Sequence, residues 1–265
     1  MLKVLYCNEN LIIDSLAESL VIGGLPMYDK VPTKEGLEDE IQSLKWKLKV
    51  IWKNKVYFTF NKEVKQIRLN KSILDMDLNY LSNEFGIVGI NLEQKMDKIN
   101  SICESLDVYC KRGRTLGNVS VGSGHNSLFK GVQFNMIINF PLYWLKELQR
   151  YHFTDIISSQ STMHKVLKFN LNDMFSDEVD PRCIAVIEDL KEKYNMESDK
   201  DKKKQIWRRI INSLPDGFSM AMGITMNYLQ LTTMIPQREK HKLSEWSEDL
   251  IPFFKSLPYY DFFIQ

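Results

Sequence analysis

Residues 150–164 form the stretch that most limits how this chain can fold. They follow an apolar segment and contain an arginine, two histidines, three serines and a glutamine. Side chains of this kind fill a core poorly, because each needs a hydrogen-bond partner once it is buried. The core must therefore come from the apolar segments on either side. Arginine and serine together are well suited to hold a phosphate group or the polar edge of a base.

The composition narrows the class of protein. With 265 residues, 44% of them hydrophobic, the chain can bury a full core and form either one large domain or a domain with a sizeable insertion. Its net charge of +1 argues against a dedicated nucleic-acid binder, which usually carries a basic excess on one face. No apolar run is long enough to predict a membrane span, and the first residues lack the pattern of a signal peptide.

The spacing of the four cysteines indicates whether they bind a metal. Cys7, Cys103, Cys110 and Cys183 lack the spacing of a metal site. We therefore expect reduced thiols, no bound metal and a cytoplasmic location.

Hydrophobic periodicity predicts alternating helices and strands. We expect strands at 2–7 and 131–140, a hairpin within 51–69, and helices at 10–22, 35–50, 72–84, 92–110, 141–150, within 183–209, at 218–235 and at 239–256. Four glycines at 113, 117, 122 and 124 predict a loop between the fourth helix and the strand at 131–140. That loop is either plainly flexible or shaped for a close approach to a ligand.

Three polar segments stand in an order that carries a family resemblance. They comprise Gly124, His125, Ser127 and Phe134; Arg150, His152, Gln160 and Ser161; and Leu214, Pro215, Thr225, Asn227, Thr233, Arg238 and Trp246. Their order and gaps resemble the motifs of the flavin-dependent thymidylate synthases. Those motifs are Gly-His-x-Ser/Thr, then Arg-His-Arg with Ser after seven residues, then Leu-Pro, Thr-x-Asn, Leu-Arg and Gln-Trp-Glu.

The chain departs from that family pattern in two places. Lys130 and Gly131 stand where the family has Glu-His, and the family's histidine lies against the flavin. Arg-His-Arg keeps one arginine at most, Arg150, and His152 falls on the motif histidine only if one residue is inserted.

The resemblance implies an architecture. It predicts an α/β (α+β) fold with a twisted mixed sheet flanked by helices, of the thymidylate-synthase-complementing type. Residues 1–265 would form a single domain of this kind, with 27–110 as an insertion. The family assembles as a homotetramer, so we expect the same here.

The resemblance also implies a chemistry. In the family, FAD is reduced by NADPH, and a one-carbon unit passes from methylenetetrahydrofolate to C5 of dUMP. The partner expected here is therefore dUMP or a related pyrimidine deoxynucleotide. Arg238 and Ser161 are the implied catalytic residues, and Arg150, Gln160, Ser161 and Arg238 would hold the nucleotide. The implied flavin contacts are His125, Ser127, His152, Asn227, Thr233 and part of the Gly113–Gly124 loop.

Each of these residues also has a structural alternative. Arg150 could cap a helix end, and Arg238 could form a surface ion pair of little energetic value. His152 could be a core or interface histidine. Ser158, Ser159 and Ser161 could cap a helix that starts near 161. The whole chain could then be a catalytically silent nucleotide- or partner-binding protein on the same fold, or a structural protein.

Overall fold

A computed structural model describes residues 2–24, 28–29, 31–53, 56–61, 64–69, 92–119 and 124–260. In chain order, its main elements are β1 Lys3–Cys7, α1 Glu9–Ile22, α2 Lys34–Lys53, β2 Val56–Asn61, β3 Val64–Leu69, α3 Leu92–Gly117, a 3-10 helix His125–Lys130, β4 Gln133–Pro141, α4 Leu142–Leu148, β5 Asp155–Ser159, α5 Thr162–Lys165, a 3-10 helix Leu171–Asp173, α6 Pro181–Met196, α7 Lys200–Ser213, β6 Ser219–Asn227, α8 Tyr228–Arg238, a π-helix Glu245–Leu250 and α9 Ile251–Lys255.

The chain divides into two compact units. The first comprises residues 1–8 and 134–254, and the second comprises residues 9–133 and 255–265. The first unit contains a four-stranded sheet with the strand order β1-β4-β6-β5. The predicted α/β class, with a sheet flanked by helices, is confirmed.

The strands of this sheet run antiparallel. β1 pairs with β4 from Lys3 opposite Asn139, and β5 pairs with β6 from Asp155 opposite Thr225. At the junction of β4 and β6, the Thr225 hydroxyl donates to the Phe134 carbonyl at 3.4 Å. At the opposite end the amide of Leu142 donates to the carbonyl of Phe218 at 3.0 Å, so these two central strands are antiparallel as well. β5 is left as an edge strand.

The centre of the sheet is built by period-two burial. Every second residue of β4, beginning at Phe134, is buried, as the strand prediction for 131–140 requires. In β6, four buried side chains alternate with small ones, and they are Met220, Met222, Ile224 and Met226. The prediction of one helix over 218–235 is therefore wrong. The segment is a strand followed by α8, because alternation of large and small residues buries one face of a pleated strand.

A second, smaller core lies under the α6–α7 hairpin of the same unit. It consists of the buried residues Val166, Leu171, Ile187 and Ile210, with flanking apolar side chains from both helices. Asp180 and Asp199 cap the two helices, each accepting a hydrogen bond from a first-turn amide. The charged helices predicted within 183–209 are confirmed, and their charges lie on the exposed faces.

The second unit is mainly helical. The helices predicted at 10–22 and 35–50 are present as α1 and α2, and the predicted hairpin is present as β2 and β3, paired from Val56 opposite Leu69. The helix predicted at 72–84 lies outside the described residues. Gly113 and Gly117 lie within α3, so the predicted glycine loop is wrong for these two positions. Two glycines are tolerable in a helix of this length, since each costs only about 1 kcal/mol relative to alanine.

Other predictions stay open. The single domain and the insertion at 27–110 remain predictions. Within the described ranges, no helix is long and apolar enough to cross a membrane. The same ranges contain no group of three or more His, Cys, Asp or Glu side chains that could hold a metal ion. Cys7 and Cys183 are free thiols.

Candidate functional site

Arg238 is the last residue of α8, the helix that directly follows the central strand β6. Asn227 ends β6 and caps this helix, because its Oδ1 accepts a hydrogen bond from the Gln230 amide at 3.0 Å. Pro236 lies inside the last turn, and the helix still continues to Arg238. The sheet and the capped helix therefore fix the backbone position of Arg238.

Two polar contacts orient the guanidinium of Arg238. Its Nη2 lies 2.7 Å from Oε2 of Glu147, and its Nε donates to the Tyr151 hydroxyl at 2.7 Å. Its side chain is only 12% exposed. Nη1 has no hydrogen-bond or ion-pair partner among the described residues. Arg238 is thus not an exposed surface ion pair, and it keeps donor capacity for a further group.

Aromatic rings cover the guanidinium. Its central carbon lies 5.0 Å from the ring centre of Trp246 and 5.5 Å from that of Tyr151, within the range of cation–π attraction. Trp144 packs against Trp246 with ring centres 4.8 Å apart. Both tryptophans are fully buried, and their indole nitrogens have no hydrogen-bond partner among the described residues.

The π-helix that carries Trp246 is tied to α4 beside this cluster. The Tyr143 hydroxyl donates a short hydrogen bond to the carboxylate of Glu245, which is buried. Burial raises the pKa of the Tyr143 hydroxyl, and this hydrogen bond raises it further. Tyr143 therefore stays a neutral donor at ordinary pH and holds the π-helix in place.

Glu147 also links Arg238 to the predicted nucleotide residue Arg150. Its other oxygen, Oε1, lies 3.9 Å from Nη1 of Arg150. The Arg150 side chain is 73% exposed, so this second pair is loose and adds little stability. One carboxylate thus joins a covered arginine and an exposed one, and both were predicted to hold the nucleotide.

His152 follows on the same segment, and its backbone is held more firmly than its side chain. The Gln230 amide nitrogen Nε2 donates to the His152 carbonyl and to the Thr154 hydroxyl, each at 2.5 Å. His152 itself is exposed, so the alternative of a core histidine is wrong. The side chain can face a ligand.

Gln160 and Ser161 lie past the other end of β5. Gln160 extends the sheet edge, because its amide donates to the Ala221 carbonyl at 2.9 Å and its Oε1 accepts from the Ala221 amide at 2.8 Å. Ser161 directly precedes α5. Ser158 and Ser159 are in β5, so their proposed role as helix caps is wrong.

β5 therefore separates two groups of predicted nucleotide residues. Tyr151, which contacts Arg238, precedes the strand, and Ser161 follows it. A strand of five residues spans roughly 17 Å. A common ligand must be extended along β5, or the two groups serve different parts of a site.

Two predicted flavin contacts in this unit use their side chains locally. The Oδ1 of Asn227 caps α8, and the Thr233 hydroxyl donates to the Gln230 carbonyl at 3.0 Å. Each retains some hydrogen-bonding capacity, the Nδ2 of Asn227 and the oxygen lone pairs of Thr233.

His125 and Ser127 belong to the other unit, in the 3-10 helix that begins after Gly124. Gly124 has φ 79°, a left-handed conformation that favours glycine, and both side chains are exposed. A Cβ at Gly131 would lie 2.3 Å from the Ser19 hydroxyl, and Ser19 is buried on α1. A side chain at position 131 would therefore require the Ser19 hydroxyl to move.

The sequence did not single out three residues that hold this site together. Glu147 and Tyr151 fix Arg238, and Gln230 fixes the segment after Tyr151. No periodic signal marks such partners, because Glu147 and Tyr151 lie far from Arg238 along the chain, and Gln230 lies far from His152.

Comparisons with known proteins give a faint likeness. A crystal structure of thymidylate synthase X from Helicobacter pylori with FAD and dUMP is 17% identical to this chain, with a TM-score of 0.45. The match covers 66% of this chain and 93% of that one. Another structure of the flavin-dependent enzyme from the same organism, complexed with FAD and dUMP, is 15% identical with a TM-score of 0.42, covering 62% and 89%. No family model and no curated protein matches the sequence.

Proposed function

We propose that this chain is a flavin-dependent enzyme that resembles the thymidylate synthases of that type. It would transfer a one-carbon unit from methylenetetrahydrofolate to C5 of dUMP or of a related pyrimidine deoxynucleotide. The observation that carries the proposal is the oriented guanidinium of Arg238, which two polar partners and two aromatic rings hold at the end of α8. The motif order in the sequence supports the same assignment.

The fixed guanidinium suits the proposed chemistry. Nη1 of Arg238 can donate to the O4 and N3 edge of a pyrimidine and stabilise the negative charge that develops as C5 becomes nucleophilic. Glu147 and Tyr151 hold the group in one orientation, so little conformational freedom is lost when the base binds. The exposed Arg150 can pair with the phosphate, and Ser161 and Gln160 can extend the nucleotide contacts.

The residues present fit FAD through fewer contacts than the family uses. His152 offers an exposed side chain, and Asn227 and Thr233 offer the capacity that their local hydrogen bonds leave. We assign the flavin to these three residues. The contacts predicted for His125 and Ser127, which belong to the other unit, stay predictions. When bound, FAD reduced by NADPH supplies the reducing equivalents of the transfer. We expect the active assembly to be a cytoplasmic homotetramer.

A second candidate is a catalytically silent protein that binds a nucleotide. One observation favours it specifically. Gly131 packs against Ser19 on α1 and has no side chain that could take the place of the family's flavin-facing histidine. In such a protein Arg238 would still bind the nucleotide, but no reaction would follow.

Three measurements on the full chain test the proposal. We expect a visible flavin spectrum after incubation with FAD and desalting, a thermal shift with dUMP, and NADPH oxidation that depends on dUMP and methylenetetrahydrofolate. Arg238→Ala should abolish the dUMP shift and the oxidation. Arg182→Ala is the control, because Arg182 is 90% exposed on α6.

The outcomes separate the two candidates. A protein that takes up no flavin but still gives an Arg238-dependent shift with dUMP is the silent binder. A protein that gives neither response contradicts both candidates.

A further inference from the structure

Phe153 adopts a backbone conformation that packing of its own side chain does not explain. Its φ is 65°, in the left-handed region, which a bulky aromatic residue rarely enters. Tyr259 shares this conformation, with φ 61°, but Tyr259 is buried and donates to the Leu48 carbonyl at 2.7 Å. The Phe153 side chain is 63% exposed. Core packing therefore accounts for the left-handed conformation of Tyr259 but not for that of Phe153.

Gln230 imposes the conformation of Phe153. Its Nε2 donates to the carbonyl before Phe153 and to the hydroxyl after it, on His152 and Thr154. Gln230 is only 6% exposed and lies in the first turn of α8, where the cap of Asn227 holds its amide. A buried side chain on a rigid helix thus holds the segment that carries one exposed ring.

The same arrangement leaves one polar atom of Gln230 unsatisfied. Its Oε1 is buried and has no hydrogen-bond partner among the described residues. A buried acceptor without a partner is unfavourable. A strained residue and an unsatisfied amide that support the same exposed ring indicate a function, since such features persist mainly at ligand sites.

We propose that the ring of Phe153 is a stacking surface for the planar heteroaromatic ring of a ligand. The inference deepens the proposed function and rests on it for the kind of ring, which is either a pyrimidine base or an isoalloxazine. An aromatic side chain whose backbone is already fixed loses little freedom when a flat ring stacks on it. Tyr151, two positions earlier, accepts a hydrogen bond from Nε of Arg238, so the segment of Phe153 is joined to a guanidinium that can donate to the edge of such a ring.

Protein association is the competing role for this surface. Ile156 and Ile157, on the edge strand β5, are 48% and 57% exposed. Neither has the positive φ of Phe153. A contact between strands does not need a strained residue, so the position of the strain favours a small flat ligand.

The experiment compares side chains that tolerate the left-handed conformation with side chains that keep the ring. Phe153→Gly and Phe153→Asn suit this conformation and lack a ring, whereas Phe153→Tyr keeps it. Ile157→Ser is the control, because it removes a neighbouring apolar side chain of similar exposure. Riboflavin and dUMP are titrated separately by calorimetry, so that the two kinds of ring are distinguished. Thermal unfolding and sedimentation are measured on the same samples.

We expect Phe153→Gly and Phe153→Asn to fold at least as stably as the wild type. Their affinity for one of the two ring ligands should fall roughly 5- to 150-fold, the range of an aromatic stacking contact. Phe153→Tyr and Ile157→Ser should stay close to wild type. If thymidylate formation is absent but this pattern holds, the proposed function fails and the stacking role stands.

Two results would overturn the stacking role. One is unchanged affinity of Phe153→Asn for both rings, or no binding of either ring by the wild type. The other is a change in oligomeric state in Phe153→Asn with ring binding intact, which would assign Phe153 to an interface between copies.

Discussion

Glu147 and Arg238 form a largely covered ion pair, with the carboxylate Oε2 2.7 Å from the guanidinium Nη2. The two side chains are 26% and 12% exposed. Because solvent reaches this pair only in part, the charge of each group depends on the other for compensation. Glu147 also approaches Arg150 at 3.9 Å, but that arginine is 73% exposed. The two ion pairs of Glu147 should therefore contribute very different amounts to the free energy of unfolding.

Glu147→Gln tests this difference. It keeps the shape of the side chain and leaves the Arg238 charge without a counter-charge, so we expect unfolding free energy to fall by about 2 kcal/mol. That is less than the roughly 3–5 kcal/mol lost when a fully buried pair is broken. Urea denaturation measures the change. Arg150→Ala is the matched control, with an expected loss of about 0–0.5 kcal/mol. Equal losses in the two variants would contradict the ranking.

Tyr151→Phe removes one hydroxyl and keeps the ring that lies 5.5 Å from Arg238. Nε of Arg238 then loses its acceptor, and we expect a loss of about 1–2 kcal/mol in unfolding free energy. If Arg238 binds the nucleotide, dUMP affinity should fall as well, because the guanidinium is held less firmly. Urea denaturation and dUMP titration give the two values.

Tyr194→Phe is the control for that hydroxyl. The Tyr194 ring contacts the Lys203 ammonium at 4.7 Å, and the substitution keeps this contact. We expect a change within about 0.5 kcal/mol. A loss as large as that of Tyr151→Phe would show that the hydroxyl at 151 has no special role.

Asn227→Ala distinguishes a structural role from a ligand role. Asn227 caps α8, so its removal should cost about 1 kcal/mol without any ligand present. Asn227→Asp keeps an acceptor oxygen and should lose much less. Thermal unfolding of the ligand-free protein measures both. If flavin affinity changes and stability does not, the hydrogen bond from the Gln230 amide to Asn227 does not stabilise the fold as predicted.

Local patterns in the sequence predict those parts of the fold that one segment determines by itself. The segments 56–61 and 64–69 alternate in sequence, and they pair with each other as the predicted hairpin requires. β4 alternates in the same way and is central in the sheet. β6 was mistaken for a helix because methionine and alanine favour helices, and the alternation that marks the strand is short. Sheet pairing then overrides the helical preference of those residues.

The site was predictable only in part, for a related reason. Motif spacing predicts that Arg238 binds the nucleotide. The structure shows that its guanidinium is covered and oriented, and the binding itself stays a prediction. Glu147, Tyr151 and Gln230 act across the fold, where no periodicity connects them to the residues they hold. The role of Gln160 in the sheet was not predicted either. Its side-chain oxygen accepts a hydrogen bond from the Ala221 amide, and no sequence pattern marks such a contact.

Asp249 gives a prediction that depends on pH. Burial raises the pKa of its carboxyl, and the nearby Glu245 carboxylate raises it further. A raised pKa means that the folded state favours the protonated form. The resulting stabilisation is complete below the usual pKa of 3.8 and is lost as pH rises through the folded-state value. At pH 7 the ionised carboxylate therefore opposes folding.

Asp249→Asn should consequently raise the melting temperature at pH 7 by about 1–3 °C. The amide cannot ionise, and it keeps an acceptor oxygen for the backbone N–H of Leu2. The difference from wild type should shrink as pH falls toward 4, because the wild-type carboxyl then becomes neutral. Melting curves between pH 4 and pH 7 test this. A difference that stays constant over the whole range would mean that the substitution changes packing and not charge, and the effect of burial on this carboxyl would have to be abandoned.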